Sequence, residues 1–150
     1  MKKWILIISL VLFASLAGLG YLLNNFVQEG NRLDKESKAY AQEVYPKLVT
    51  ACDSVDANSL MAQKALSVTS TKSLRLFCKK VNQVLGSFQE IESVDGETHI
   101  SFGSKSGTTA QYIFLAKHQK GSANVTLTLM LENEQWKVLG FNVNSEKFLE

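Results

Sequence analysis

Residues Thr109–Asn144 read TAQYIFLAKHQKGSANVTLTLMLENEQWKVLGFNVN, and side-chain character switches at almost every step. Ala110, Tyr112, Phe114 and Ala116 alternate with Gln111, Ile113, Leu115 and Lys117. Val125, Leu127, Leu129 and Leu131 then alternate with Thr126, Thr128 and Met130. A period of two puts successive side chains on opposite faces of a strand, so one face is dry and one is wetter. Lys120-Gly121 and Asn133-Glu134 carry turn residues between these runs, and Gln135–Asn144 forms a further strand. Strands joined by such short turns pair antiparallel.

Toward the N-terminus the same period continues over Phe88–Val94. Asp95-Gly96 is a hairpin signal, Thr98–Phe102 a return strand and Gly103–Thr108 a turn. Before Gly86 the period becomes helical. Ser70 or Thr71 caps a helix with Leu74, Phe77, Cys78, Val81 and Leu85 on one face, and Gly86 stops it. An earlier helix from 31 to about 51 places Tyr40, Ala41, Val44, Tyr45, Leu48, Val49 and Cys52 on one face, with Pro46 expected to kink or break it. The expected fold class is α+β: two N-terminal helices packed on a curved antiparallel meander of about five strands, preceded by one transmembrane helix.

That last element comes from Trp4–Leu23, which holds no charged residue and follows Lys2 and Lys3. Twenty helical residues span about 30 Å, the hydrocarbon thickness of a bilayer. A signal cut before Gly18 is the alternative, but Leu19, Tyr21, Leu22 and Leu23 extend the apolar run past it. The expected organisation is an anchor or uncleaved signal over 1–23, a linker over 24–30 and an exported domain over 31–150. The expected location is a single-pass membrane protein with its C-terminal domain in the periplasm or outside the cell. Apart from Lys2 and Lys3, 14 basic residues face 14 acidic ones, so a nucleic-acid partner loses its usual footprint.

Cys52 and Cys78 are the only cysteines. In an oxidising compartment they would form one disulfide; otherwise they are two buried thiols, and both readings stay open. No cysteine–histidine cluster points to a metal, and no cofactor is expected. His99 and His118 read as exposed or satisfied rather than catalytic, and Glu90 and Glu92 as solvated.

The run Glu134-Gln135-Trp136-Lys137-Val138-Leu139-Gly140-Phe141-Asn142-Val143 resembles the closing strand of the cystatin-like, nuclear-transport-factor-2-like α+β roll family, across roughly residues 34–144. The resemblance implies a conical sheet with a helix-lined pocket, used by different members for catalysis, ligand binding or assembly. Enzymatic members place an acid with a tyrosine or a second acid inside the cone, and no inward carboxylate is legible here.

The expected function is a membrane-tethered binding or scaffold domain without catalytic activity, meeting another envelope protein. The alternative is a small hydrophobic-ligand pocket lined by Tyr40, Phe77, Tyr112, Phe114, Trp136 and Phe141. An isomerase- or dehydratase-like enzyme stands third, and would need a buried acid near Tyr112.

Overall fold

The computed structural model describes residues 2–50, 57–101 and 107–149. Its elements are α1 (Lys2–Thr50), α2 (Ala57–Leu60), α3 (Gln63–Leu66), α4 (Thr71–Leu85), β1 (Phe88–Ser101), β2 (Gly107–His118), β3 (Gly121–Glu132) and β4 (Gln135–Asn144). A 3-10 turn over Glu146–Phe148 follows the sheet. The chain divides into two units, Met1–Leu33 and Asp34–Glu150.

In the second unit the four strands pair in the order β1-β2-β3-β4, all antiparallel. The dry face carries Ala110, Tyr112, Phe114, Ala116, Ala123, Val125, Leu127, Leu129, Trp136, Val138 and Val143, all buried. Ala41, Val44, Tyr45, Leu48 and Val49 of α1 and Leu74, Cys78, Val81 and Leu85 of α4 are buried as well. Each fully buried Leu or Val contributes about 1.5–3 kcal/mol relative to exposure, so this layer dominates the stability.

The sheet has four strands, not five, because Asp95-Gly96 does not turn. Gly96 takes φ 135°, a region essentially closed to other residues, and the strand runs on through it. A Cβ there would lie 2.1 Å from the Gln111 carbonyl oxygen and 2.8 Å from Tyr112 Cα. Register shifts between Phe88 and Glu90 and between Ile91 and Ser93 add one residue each to β1. They leave Phe88, Ile91 and Val94 part-buried at steps of three, while Glu90 and Glu92 stay exposed. Bulges therefore replace the simple alternation expected there.

The helical part also departs from expectation: four α-helical segments precede the sheet among the described residues, not two. Ser70 caps α4, its side chain accepting the Ser73 N–H at 3.1 Å, and Gly86 ends it at φ 76°. Pro46 does not end α1, which continues to Thr50; Thr50 Oγ1 donates back to the Pro46 carbonyl at 2.6 Å. The residues expected as a linker, 24–30, are helical.

No helix, over the described residues, is long and apolar enough to cross a membrane. This overturns the transmembrane anchor over 1–23 and the single-pass location built on it. The uncharged run does not form a separate span. It continues into turns of the same helix bearing Glu29, Arg32, Asp34, Lys35 and Glu36. Within the first unit, Arg32 donates to Glu29 at 2.9 Å, and this pairing holds the Glu29 carboxyl below its usual range.

Two substitutions test this backbone. Gly96→Ala should cost about 3 kcal/mol or more in urea unfolding, through strain and the clash with β2. Asn133 and Glu134 both have positive φ, 49° and 62°, the signature of a type I′ turn. Glu134→Gly should therefore stabilise by about 0.5–1 kcal/mol; an unchanged or lower midpoint would contradict that turn.

Candidate functional site

Three arrangements in the second unit could bear function. In the first, Asp34 and Ser37 of α1 meet Thr98 of β1 and Tyr112 of β2. Ser37 and Tyr112 are fully buried. Ser37 Oγ lies 2.7 Å from Tyr112 Oη and 2.8 Å from Thr98 Oγ1. Asp34 Oδ1 accepts the Thr98 N–H at 2.9 Å and the Tyr112 hydroxyl at 3.1 Å. Burial, above all, pushes the Tyr112 phenol up from its ordinary value, partly offset by the Ser37 and Thr98 hydrogen bonds.

This is an acid beside Tyr112, the pair that sequence reasoning could not locate. Asp34 sits among surface charges on a helix, and nothing local marks it as aimed at a strand 78 residues away. The chemistry it supports is fastening. The phenol is moved away from neutral pH rather than toward it, where general acid–base work is efficient. Both groups are occupied by one another, and solvent does not reach Tyr112. The cluster pins α1 to β1 and β2.

The second arrangement surrounds His118, which is 2% exposed. Its Nδ1 lies 3.2 Å from the Gly86 carbonyl, which can only accept, so Nδ1 carries the proton. Nε2 then accepts from Tyr45 Oη at 3.0 Å. Burial lowers the His118 pKa below 6.5 and raises that of Tyr45. Phe88 packs edge-on against both rings, at 5.8 Å from Tyr45 and 5.7 Å from His118. His118 is a neutral, satisfied joint between the end of α4 and β2. His99, by contrast, is exposed.

The third is a cleft of about 330 Å³ between α4 and β4. Met61, Leu74, Phe77, Leu139 and Phe141 supply its apolar wall, and Thr69 and Ser73 also line it. Phe77 and Phe141 stack edge to face at 5.3 Å and 78°. Phe77 nonetheless remains 37% exposed. Leu139 enters because the β3–β4 register slips between Thr128 and Leu129, making it an extra residue on β4. Beside it, Ala62 N–H donates to the Val138 carbonyl at 2.8 Å, fixing Met61 against the edge of the sheet.

Of the six residues expected to line a pocket, the structure brings only Phe77 and Phe141 to this cleft. Tyr112 and Phe114 are sealed in the core, and Tyr40 is half-buried on α1. Trp136 is buried in the sheet face, and its Nε1–H has no hydrogen-bond partner among the described residues. Sequence reasoning missed Leu139, since a bulge has no local signature. Leu74 was visible only as an apolar helix position, and Met61 pairs with Val138 outside any helix. Cys78 is buried with Sγ 2.9 Å from the Leu48 carbonyl; Cys52, its expected partner, lies outside the described residues. Among the described residues, no group of three or more His, Cys, Asp or Glu could hold a metal ion.

The two polar joints make separate predictions. Tyr112→Phe should cost about 1–3 kcal/mol in urea unfolding, because Ser37 and Asp34 lose a buried partner. For His118 the unfolded chain takes up a proton at 6.5 while the folded chain resists it to lower pH. Stability present above that value is thus lost as the pH falls through it. The urea midpoint should drop from about pH 7 to about pH 5.5, and His118→Asn should flatten that slope; equal slopes would refute the buried neutral state.

No protein-family model, no curated protein and no solved structure matches this chain.

Proposed function

We infer that the protein is a binding domain without a catalytic step, whose α4–β4 cleft takes up a small apolar group. The observation that carries this reading is the Phe77–Phe141 pair: two aromatic rings packed on each other, one still 37% open to solvent, above an apolar wall. Burying that remaining aromatic and aliphatic surface is favourable at about 25 cal/mol per Å². At about 330 Å³ the cleft sits at the small end of ligand sites, which run from about 300 to 1,000 Å³. It therefore suits a group of some ten heavy atoms rather than a large cofactor.

Titration of the full chain with naphthalene tests this. Met61 lines the cleft, whereas Met130 lies on the other face of the sheet, so their methyl resonances form a probe and a control. The Met61 signal should shift saturably while that of Met130 stays still, and Phe77→Ala should weaken binding at least about fivefold. A Met61 signal indifferent to naphthalene would remove the reading.

A second reading, association with another protein, is favoured by one feature of the first unit. Tyr21, Leu22, Leu23, Phe26 and Val27 are 54–69% exposed on consecutive turns of α1. Large contiguous apolar surface of this kind marks interaction sites. Light scattering should find the chain associated, with itself or a partner, and Leu22→Glu with Phe26→Glu should release it. A chain that is monomeric and partnerless before substitution would end this reading.

A further inference from the structure

Resting on the cleft reading above, we propose that the apolar group belongs to an extended peptide of another protein, which adds to the open edge of β4 as a further strand. The two edges of the sheet differ. β1 is guarded: Glu90, Glu92, Asp95 and Glu97 are exposed carboxylates, two bulges interrupt its register, and Asp34 of α1 takes the Thr98 N–H. Charge, bulges and covered N–H groups are the devices that keep an edge strand from pairing with foreign chain. β4 lacks them from Gly140 onward. Its register with β3 runs unbroken from Gly140 to Asn144, and that stretch holds no charged residue and no proline.

The chain itself begins such an addition and abandons it. Met61 bridges Val138 in parallel, and the Ala62 N–H donates to the Val138 carbonyl at 2.8 Å. Gln63 then opens α3, so the pairing ends after one bridge. Among the described residues, no other backbone hydrogen bond reaches β4 from outside the sheet. The cleft lies along the same edge. Met61, Leu139, Gly140 and Phe141 line it from the sheet side, and Leu74 and Phe77 from α4. A groove between an edge strand and a helix supplies both halves of peptide recognition: main-chain hydrogen bonds from the strand, and a pocket for alternate side chains. At about 30 Å³ for each water-sized group, a cleft of about 330 Å³ takes roughly ten heavy atoms, the side chains of one phenylalanine and one valine. A second copy fits the edge poorly. Pairing β4 with β4 would bring together two α4 helices, each bearing Lys72, Arg75, Lys79 and Lys80 and no carboxylate.

The probe is a capped peptide, Thr-Phe-Thr-Val-Thr, whose two apolar side chains share one face when it is extended. The control is the same peptide with every backbone amide N-methylated, which keeps the side chains and loses the donors. Each is titrated into the full chain and read on the Met61 methyl, while hydrogen exchange of the amides over 140–144 is followed alongside. The parent peptide should bind about tenfold or more tightly than the methylated one, and it alone should slow that exchange. Equal binding of the two, or a parent peptide that shifts Met61 without slowing exchange, would overturn strand addition and leave the apolar cleft standing. Naphthalene shifting Met61 where neither peptide does would have the same meaning. Exchange over 140–144 that is slow without peptide and quickens on dilution would put a second copy on the edge and overturn the proposal too. If naphthalene and both peptides leave Met61 unmoved, the cleft reading falls as well.

Discussion

One face of β2, β3 and β4 must be kept from water, and everything else in the second unit answers to that need. Leu127, Leu129, Tyr112, Phe114 and Val138 have no solvent exposure. No sheet of four strands can achieve that alone. The C-terminal turns of α1 and the buried side of α4 supply the cover. The helix α4 is shorter than the strands it covers, and the layers do not close completely beside β4. The cleft lies at that side, where Leu139 bulges outward and Met61 bridges the sheet edge.

Covering a sheet with helices forces polar groups into dry surroundings, and the fold meets this by pairing them. Ser37, Tyr112, Thr98 and Asp34 satisfy one another across three elements. Tyr45, His118 and Gly86 do so between α1, β2 and the end of α4. Each joint is specific in register, because a slip of one residue along β2 would turn Tyr112 and His118 to the solvent face. These side chains look like catalytic groups by type. Their mutual hydrogen bonding, with Ser37, Tyr112 and His118 buried, makes them fasteners.

This explains why the candidate site was only partly legible. Phe77 and Phe141 stood out only as aromatics on a helix and on a strand. Tyr112, Phe114 and Trp136 stood out equally, yet they belong to the closed core. Composition does not separate the two sets; depth within the sheet does. The apolar run near the N-terminus misled in a related way. Its length matched a bilayer, but the helix that contains it continues without interruption into charged turns.

What the amino-acid order determines here is local. Alternation defines the faces and turns of β2, β3 and β4, and Ser70 and Gly86 mark the ends of α4. Both depend on neighbours a few residues apart, where backbone periodicity and capping act. Tertiary structure decides the rest: Gly96 pressed against β2 instead of turning, the bulges that reset the faces of β1 and β4, Asp34 beneath Tyr112, and the gap between α4 and β4. Those features arise from register and fit between elements distant in the chain. The physical reason is that a close backbone approach or a mismatch between layers belongs to pairs of surfaces, and no single stretch of sequence carries it.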